Sequence, residues 1–500
     1  VKTRLARTTA IALGAALVAA IAACSPQQTS APTVTTLKTT VEAFTLTGNW
    51  NPRTGFLNTI GVPQQAVYES LIQFDPSTYE WRPLLAESFE ISDDQRSMNV
   101  TLKQGIDFTD GTHLDAEAAK AAFDYAMESG IYPLTSVYEI RAAVTGDYEL
   151  EFTATGAMNS DFLLWFGIVP IASPTAIAED AEALALSPVG TGPYLLKDQV
   201  PDVSMTFERN PDYRDPAAFP FDELEFVTMA DPIAVTNALK SGQLNAATID
   251  PAYAKEMESS GFDLHLGVSE HFFLWWVDPT GAAAPQLTDV RVRRAISHAI
   301  DRAAIVENLE FGYGTVTSEM YGVGSPFYID GAEDTYDYDL DTARDLMAEA
   351  GYAEGFTLVM PSAGIGKYDP VVAQALADIG ITVTSDPLTD GAAVDTAVRA
   401  GEYALLIASA SDIFLNAHLR NDGITNGQDA KFIKLLGELE QANRSDAVAI
   451  QQEIGRYVLD EVMAIPLSRP AEVFATIPEI TIDSPIVAWP VILSGYRLAG

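Results

Sequence analysis

Thr288-Asp289-Val290-Arg291-Val292-Arg293-Arg294-Ala295-Ile296-Ser297-His298-Ala299-Ile300-Asp301 is the stretch on which the reading of the fold turns. Val292, Ala295, Ile296, Ala299, Ile300 and Ala303 fall at i, i+3, i+4, i+7, i+8 and i+11, the repeat of a helix with one apolar face. Thr288 or Asp289 can accept the free amides of the first turn, so the spacing predicts a helix that starts there and buries that stripe through Ala303. Outward from it, Ala343, Leu346, Met347 and Ala350 form a second stripe, with Gly351 where a left-handed C-cap is expected. Asp115 is the candidate N-cap of a third, Ala119, Ala122, Phe123 and Ala126. Between the helices, Met98/Val100/Leu102, Tyr148/Leu150/Phe152 and Phe356/Leu358/Met360 alternate with polar residues, the period of half-buried strands. Mixed α/β architecture follows, with no internal repeat at 20 to 50 residues.

The chain has 500 residues, 29 Lys+Arg against 69 Asp+Glu, a net charge of -40 and 48% hydrophobic residues. That length predicts two or three domains. The charge repels phosphates, so it argues against nucleic acid or an anionic lipid surface as main partner. A single cysteine excludes intramolecular disulfides, zinc ribbons and cysteine-ligated clusters. The normal apolar and aromatic content separates this acidity from that of a disordered chain.

The position of that cysteine is informative. Lys2, Arg4 and Arg7 precede an uncharged apolar run, Ala10 to Ala23, too short for a bilayer core that needs about 20 residues. The run ends in Ile21-Ala22-Ala23-Cys24, which resembles the bacterial lipoprotein signal. The resemblance implies a signal peptide over 1–23, lipidation of Cys24, and anchoring at the outer face of the cytoplasmic membrane, on the extracellular or periplasmic side. Residues 24–37, rich in Ser, Pro, Gln and Thr, read as a flexible linker. No later segment offers 18 consecutive apolar residues, so no second membrane contact is expected.

Signatures of catalysis are sparse. His113, His265, His271, His298 and His418 form no HExxH pattern, and there is no GxSxG elbow, no phosphate loop and no GxGxxG after a strand. Gly190-Thr191-Gly192 is followed by Pro193, which blocks the helix a phosphate site needs, so it reads as a turn into a strand. A pair of carboxylates acting as acid and base stays open, although none of the 69 is singled out. No enzyme activity, cofactor or metal site is expected.

Several phrases, in order, resemble the family 5 solute-binding proteins of bacterial ABC importers, which include dipeptide, oligopeptide and nickel-complex receptors. They are Val67-Tyr68-Glu69-Ser70-Leu71, Pro83 to Phe89, Phe108-Thr109-Asp110-Gly111-Thr112, Pro188 to Tyr194, Arg209-Asn210-Pro211-Asp212-Tyr213, Asp289 to Ile296, and Ala343 to Tyr352. Each also reads as scaffold, a turn or a strand end, and is assigned here to the fold. The resemblance implies a two-lobed α/β periplasmic-binding-protein-like fold, type II, with an extra subdomain in lobe I. Carried onto this chain, lobe I is 38–57 with 190–268 and 480–500, the extra subdomain is 58–189, and lobe II is 269–479. It also implies a monomer that closes about a hinge on its ligand and delivers it to a membrane permease and ATPase complex.

Candidate ligand contacts follow from the need for aromatic walls and a few polar anchors. In His271-Phe272-Phe273-Leu274-Trp275-Trp276-Val277-Asp278, alternation puts Phe273 and Trp275 on one face and Trp276 and Asp278 on the other, so one set at most can face a cleft. Asn49 and Trp50 sit where the family's first strand meets the cleft rim. Family peptide receptors hold the ligand's ammonium with an aspartate in a loop of lobe II; here that region reads Ala408 to Phe414, without the usual second Asp-Pro, and Asp412 is the substitute. Arg420 is a candidate for an anionic group. The expected cargo is an oligopeptide or related amide, with a metal chelate, glycoside or opine as the alternative. A signalling lipoprotein and a surface hydrolase are the rival classes.

Overall fold

The computed structural model of the chain describes residues 34–41, 48–54, 62–75, 78–128, 138–268, 270–362, 366–388, 390–410, 415, 429–483 and 493–499. Thr36–Gly500 forms one compact unit, distinct from Val1–Thr35. The signal peptide and Cys24, with Asp412 and Arg420, lie outside the described residues. Among those residues no helix is long and apolar enough to cross a membrane.

Strand β1 (Thr36–Thr40) opens the unit, its first two residues overlapping the segment read as linker. The hairpin β2 (Ile72–Asp75) and β3 (Glu80–Pro83) follows. Then β4 (Ala86–Ile91), β5 (Ser97–Leu102), β6 (Arg141–Gly146) and β7 (Glu149–Thr153) build an antiparallel sheet in the order β4-β5-β7-β6. Met98, Val100, Leu102, Leu150 and Phe152 are buried in its core, as the alternation predicts. The helix Ala116–Met127 packs its apolar stripe on the same core, and Asp115 caps it by accepting the amide of Ala118 at 2.8 Å. Strands β8 (Tyr194–Val200), β9 (Ser204–Arg209) and β10 (Glu223–Val227) join β1 in the order β1-β10-β9-β8, with β1 parallel to β10.

The second half is organised by one long strand. After β11 (Ala246–Ile249), β12 (Asp263–Val268), β13 (His271–Trp276), β14 (Gly314–Thr315), the parallel pair β15 (Phe356–Pro361) and β16 (Ile381–Asp386), and β17 (Leu405–Ala410), the chain enters β18 (Ala464–Thr476). The C-terminal part of β18 pairs with β11 and β12; its N-terminal part pairs with β13, which in turn pairs with β17. β18 therefore belongs to two cores, giving Ile465 and Leu467 to one and Val473 and Ala475 to the other. β12 and β13 follow each other along it antiparallel, so two hydrogen-bonded strands run side by side from one core to the next. Pro470 lies at the changeover, where β14 pairs with β18 and the amide of Ala471 donates to the Tyr313 carbonyl at 2.9 Å. A short pair, β19 (Ile480–Ile482) with β20 (Tyr496–Leu498), ends the chain.

The helix on which the sequence reading turned spans Val290–Ala299, with Asp289 accepting the amide of Arg291. It stops at Ala299, four residues before the end of the predicted stripe at Ala303. Ile300 takes an extended conformation and Asp301 caps a new helix, Arg302–Asn308, by accepting the amide of Ala304, so Ala303 belongs to that second helix. An aspartate that offers its own cap competes with helix continuation. The break is pinned by Arg302, which donates to the carbonyls of Pro466, Tyr336 and Ser297 and to the Ser297 hydroxyl. Asp231, Asp339, Asp390 and Asp429 cap other helices in the same way. Part of the acid excess is thus helix-capping hardware rather than a binding surface.

Candidate ligand-binding site

The start of β13, between its neighbours β17 and β18, brings together side chains that can hold a small molecule. Register sets Phe272 on β13 opposite Ser409 on β17 and Ser468 on β18. Phe272 is half-buried, and its ring lies 4.5 Å from that of Tyr368, the residue that opens the helix Asp369–Asp378. Beneath the two rings sits Glu310, only 1% exposed. It accepts a short hydrogen bond from the Tyr368 hydroxyl and a second, at 3.3 Å, from Ser468 Oγ. Burial, and then the neighbouring carboxylate, hold the Tyr368 hydroxyl protonated far above its ordinary range. Lys367 Nζ reaches Glu310 Oε2 at 3.2 Å and stands 5.8 Å from the Phe272 ring centroid, with its side chain 46% exposed. The arrangement presents the half-buried Phe272 ring, backed by the fully buried Tyr368, and one half-solvated cation held from behind by a buried carboxylate. A ligand carboxylate over Phe272 meets Lys367 with little reorganisation.

At the changeover itself, His271 and Arg469 meet. His271 Nδ1 lies 2.9 Å and Arg469 Nη2 3.2 Å from the Met320 carbonyl. Glu319, next in chain and 2% exposed, accepts the amide of Tyr321. Burial pushes its carboxyl up to about 7.

The aromatic residues expected at a cleft are core residues in this structure. Phe273 and Trp275 are fully buried, and Trp276 is 7% exposed with the Arg293 guanidinium 3.8 Å above its ring. Asp278, on the same strand face as Trp276, is spent on the amides of Ala282, Ala283 and Ala284. Trp50 is buried too, donating its indole N–H to Gln199 Oε1 at 2.7 Å and lying edge-on to Phe207. Asn49 beside it is half-buried; it donates to Thr54 Oγ1 and accepts the amide of Asn51. Phe272, Lys367 and Tyr368 were not singled out by sequence. Every position of the run from His271 to Val277 is apolar or aromatic except the first, so alternation alone cannot tell which residue stays partly exposed.

Three of the phrases read as scaffold, around Glu69, Thr191 and Tyr213, converge on one buried knot. Arg214 grips Glu69 through two hydrogen bonds of 2.6 and 2.5 Å, and Tyr213 and Thr191 hydroxyls donate to the same carboxylate at 3.1 and 2.9 Å. Gly190 and Gly192 are glycines for a reason of space. A Cβ on Gly190 would lie 2.1 Å from the Val67 carbonyl oxygen, and one on Gly192 2.5 Å from that of Ala66. A cavity of about 260 Å³ adjoins the knot, walled by Tyr68, Trp81, Tyr213 and Arg214.

Among proteins of known name, the chain is similar to the glutathione-binding protein GsiB of Shigella flexneri serotype 5b, at 26% identity over 328 residues, and to GsiB of Escherichia coli K12, at 26% over 330. Each match covers 63% of this chain and 63% of the relative, so the chain is matched over less than two thirds of their length. Among solved structures it resembles HbpA2 from Haemophilus parasuis (TM-score 0.77, 21% identity, 93% of this chain and 100% of that one). It also resembles NikA from Brucella suis in complex with Fe(III)-EDTA (0.78, 19%, 93% and 100%) and the periplasmic binding protein DppA from Helicobacter pylori in complex with the peptide STSA (0.70, 19%, 93% and 98%). These likenesses establish the two-lobed periplasmic-binding-protein fold. The family model for the bacterial extracellular solute-binding proteins, family 5, matches residues 80–452, and the chain belongs to that family.

Proposed function

We propose that this protein is the extracytoplasmic receptor of an ABC import system: it captures a small peptide or related amide between its lobes and passes it unchanged to a permease and ATPase complex. The observation that carries this reading is the half-buried Phe272 ring, stacked on the buried Tyr368, beside the half-exposed Lys367 cation near the start of β13, where the chain passes between cores. In this reading Lys367 meets a ligand carboxylate. Asp412, two residues beyond β17, meets its ammonium, and the half-buried Asn49 is a further polar contact. The hinge lies where β12 gives way to β13 and β18 passes Pro470. The relatives named for glutathione, a small peptide with more than one carboxylate, favour such a cargo over a glycoside. Lipidation at Cys24 ties the body to the membrane that holds the permease.

Thermal-shift and calorimetric titration of the body from Cys24 onward, with glutathione, di- and tripeptides, opines and metal chelates, tests the reading. A ligand at 100 times its dissociation constant adds about 2.7 kcal/mol of stability. Lys367→Gln is expected to weaken a peptide with a free carboxylate about tenfold and leave its C-terminal amide unchanged. Conversion of any of these solutes during the titration, or equal loss for acid and amide, overturns the assignment.

A further inference from the structure

A second cavity, about 440 Å³, lies at the seam where the β4–β5 turn meets the helices near residue 440. The seam is stitched by polar contacts between segments more than 280 residues apart. Gln95 Nε2 donates to the Ala442 carbonyl at 3.0 Å, Arg96 Nη2 to that of Glu440 at 2.8 Å, and the Arg444 amide to that of Asp93 at 3.2 Å. Glu440 Oε2 in turn accepts the Ala157 amide at 3.3 Å. Gln95 is 3% exposed and holds φ +56°, a left-handed conformation, in the turn between β4 and β5. The cavity is therefore walled by two segments of the chain that hydrogen-bond to each other across the seam.

Its lining is mostly aromatic and apolar, with Trp81 and Phe89 on one side and Phe327 and Val448 on the other. Two charged residues of opposite sign complete it: Arg444, in the first turn of the helix Arg444–Asp460, and Glu80, at the start of β3. Among the described residues, neither side chain has a hydrogen bond or an ion pair. That is informative for the arginine, because in a chain with 69 acids and 29 bases a cation without a carboxylate partner is not for want of carboxylates. The volume falls within the range of small-molecule sites, roughly 300 to 1,000 Å³.

We propose that this cavity is a second ligand site, separate from the face at Lys367, and that it takes a free amino acid with a bulky apolar side chain. The aromatic walls receive the side chain, Arg444 the carboxylate and Glu80 the ammonium.

L-Phenylalanine and L-tryptophan are the probes, titrated calorimetrically into the body from Cys24 onward. Saturable binding at one site is expected. Arg444→Gln, at an exposed position that does not threaten folding, should weaken it about tenfold, as should Val448→Trp, which fills the cavity. N-acetyl-L-phenylalanine and L-phenylalaninamide, each lacking one charge, should bind correspondingly less well. Lys367→Gln should leave the probes' affinity unchanged. The proposal is overturned by absence of binding up to about 10 mM, by unchanged affinity in Arg444→Gln, or by loss in Lys367→Gln with retention in Val448→Trp, which would place the probe in the cleft.

Discussion

Replacing Arg214 by methionine isolates what the buried knot contributes. The Glu69 side chain is 4% exposed and Arg214 26%, so the carboxylate is the charge that cannot reach water once its partner is gone. Arg214→Met leaves it two hydroxyl donors, Tyr213 and Thr191, and no cation. Removing one member of a buried pair destabilises by about 3–5 kcal/mol, and the partial exposure of Arg214 argues for the lower end, ~3 kcal/mol. Unfolding entropy of about 2.1 cal/mol/K per residue, over the 465 residues of Thr36–Gly500, sums to ~1 kcal/mol/K. A fall in Tm of about 3 °C follows if the unit melts in one step. Differential scanning calorimetry measures it. The companion Glu69→Gln/Arg214→Met keeps an acceptor for both hydroxyls and buries no charge, so it should recover part of the loss. A shift below about 1 °C for the single variant, or a double variant that loses the sum of both singles, would refute the reasoning.

Gly190→Ala sets a methyl 2.1 Å from a backbone carbonyl and should destabilise by about 3 kcal/mol or more, whereas Gly437→Ala, in open space within a helix, should stabilise by up to about 1 kcal/mol; parallel melts compare them. Glu319 holds a proton more tightly folded than unfolded, so its contribution is present at low pH and fades as pH rises to about 7. Glu319→Gln mimics the protonated form, and its Tm should gain on the parent's from pH 5 to 7 and then run parallel; parallel curves throughout would exclude the shift. Arg302→Lys loses the planar fork that serves three carbonyls at once and should lower stability by about 2 kcal/mol, read by denaturant midpoint at constant slope.

The local grammar of the chain was legible and its long-range pairings were not. Asp115, Asp289 and Gly351 stand where their neighbours' periodicity placed them, because caps and apolar stripes are written within a few residues of each other. The break at Ile300-Asp301 was hidden by a stripe that continues across it in phase. Glu69 and Arg214 are 145 positions apart, and nothing local marks them as partners. β18 was obscured by Pro466 and Pro470, residues that argue against an interior strand. The structure accommodates them where the pairing shifts register near Phe272 and where β14 takes over. At the candidate site the aromatic run pointed to β13, but which of its rings stays partly exposed depends on β17, β18 and Tyr368, all distant in sequence.

The paired strands β12–β13 and β18 behave mechanically as a leaf spring. A two-stranded ribbon flexes readily across its flat face, but in its own plane it must stretch a ladder of hydrogen bonds, and sliding one strand along the other would break the register outright. Proline at position 470 removes one rung at the point where the cores change over. With the hinge proposed above at this ribbon, movement of the lobes is channelled into nearly one angular coordinate, the simplest signal a membrane partner can read.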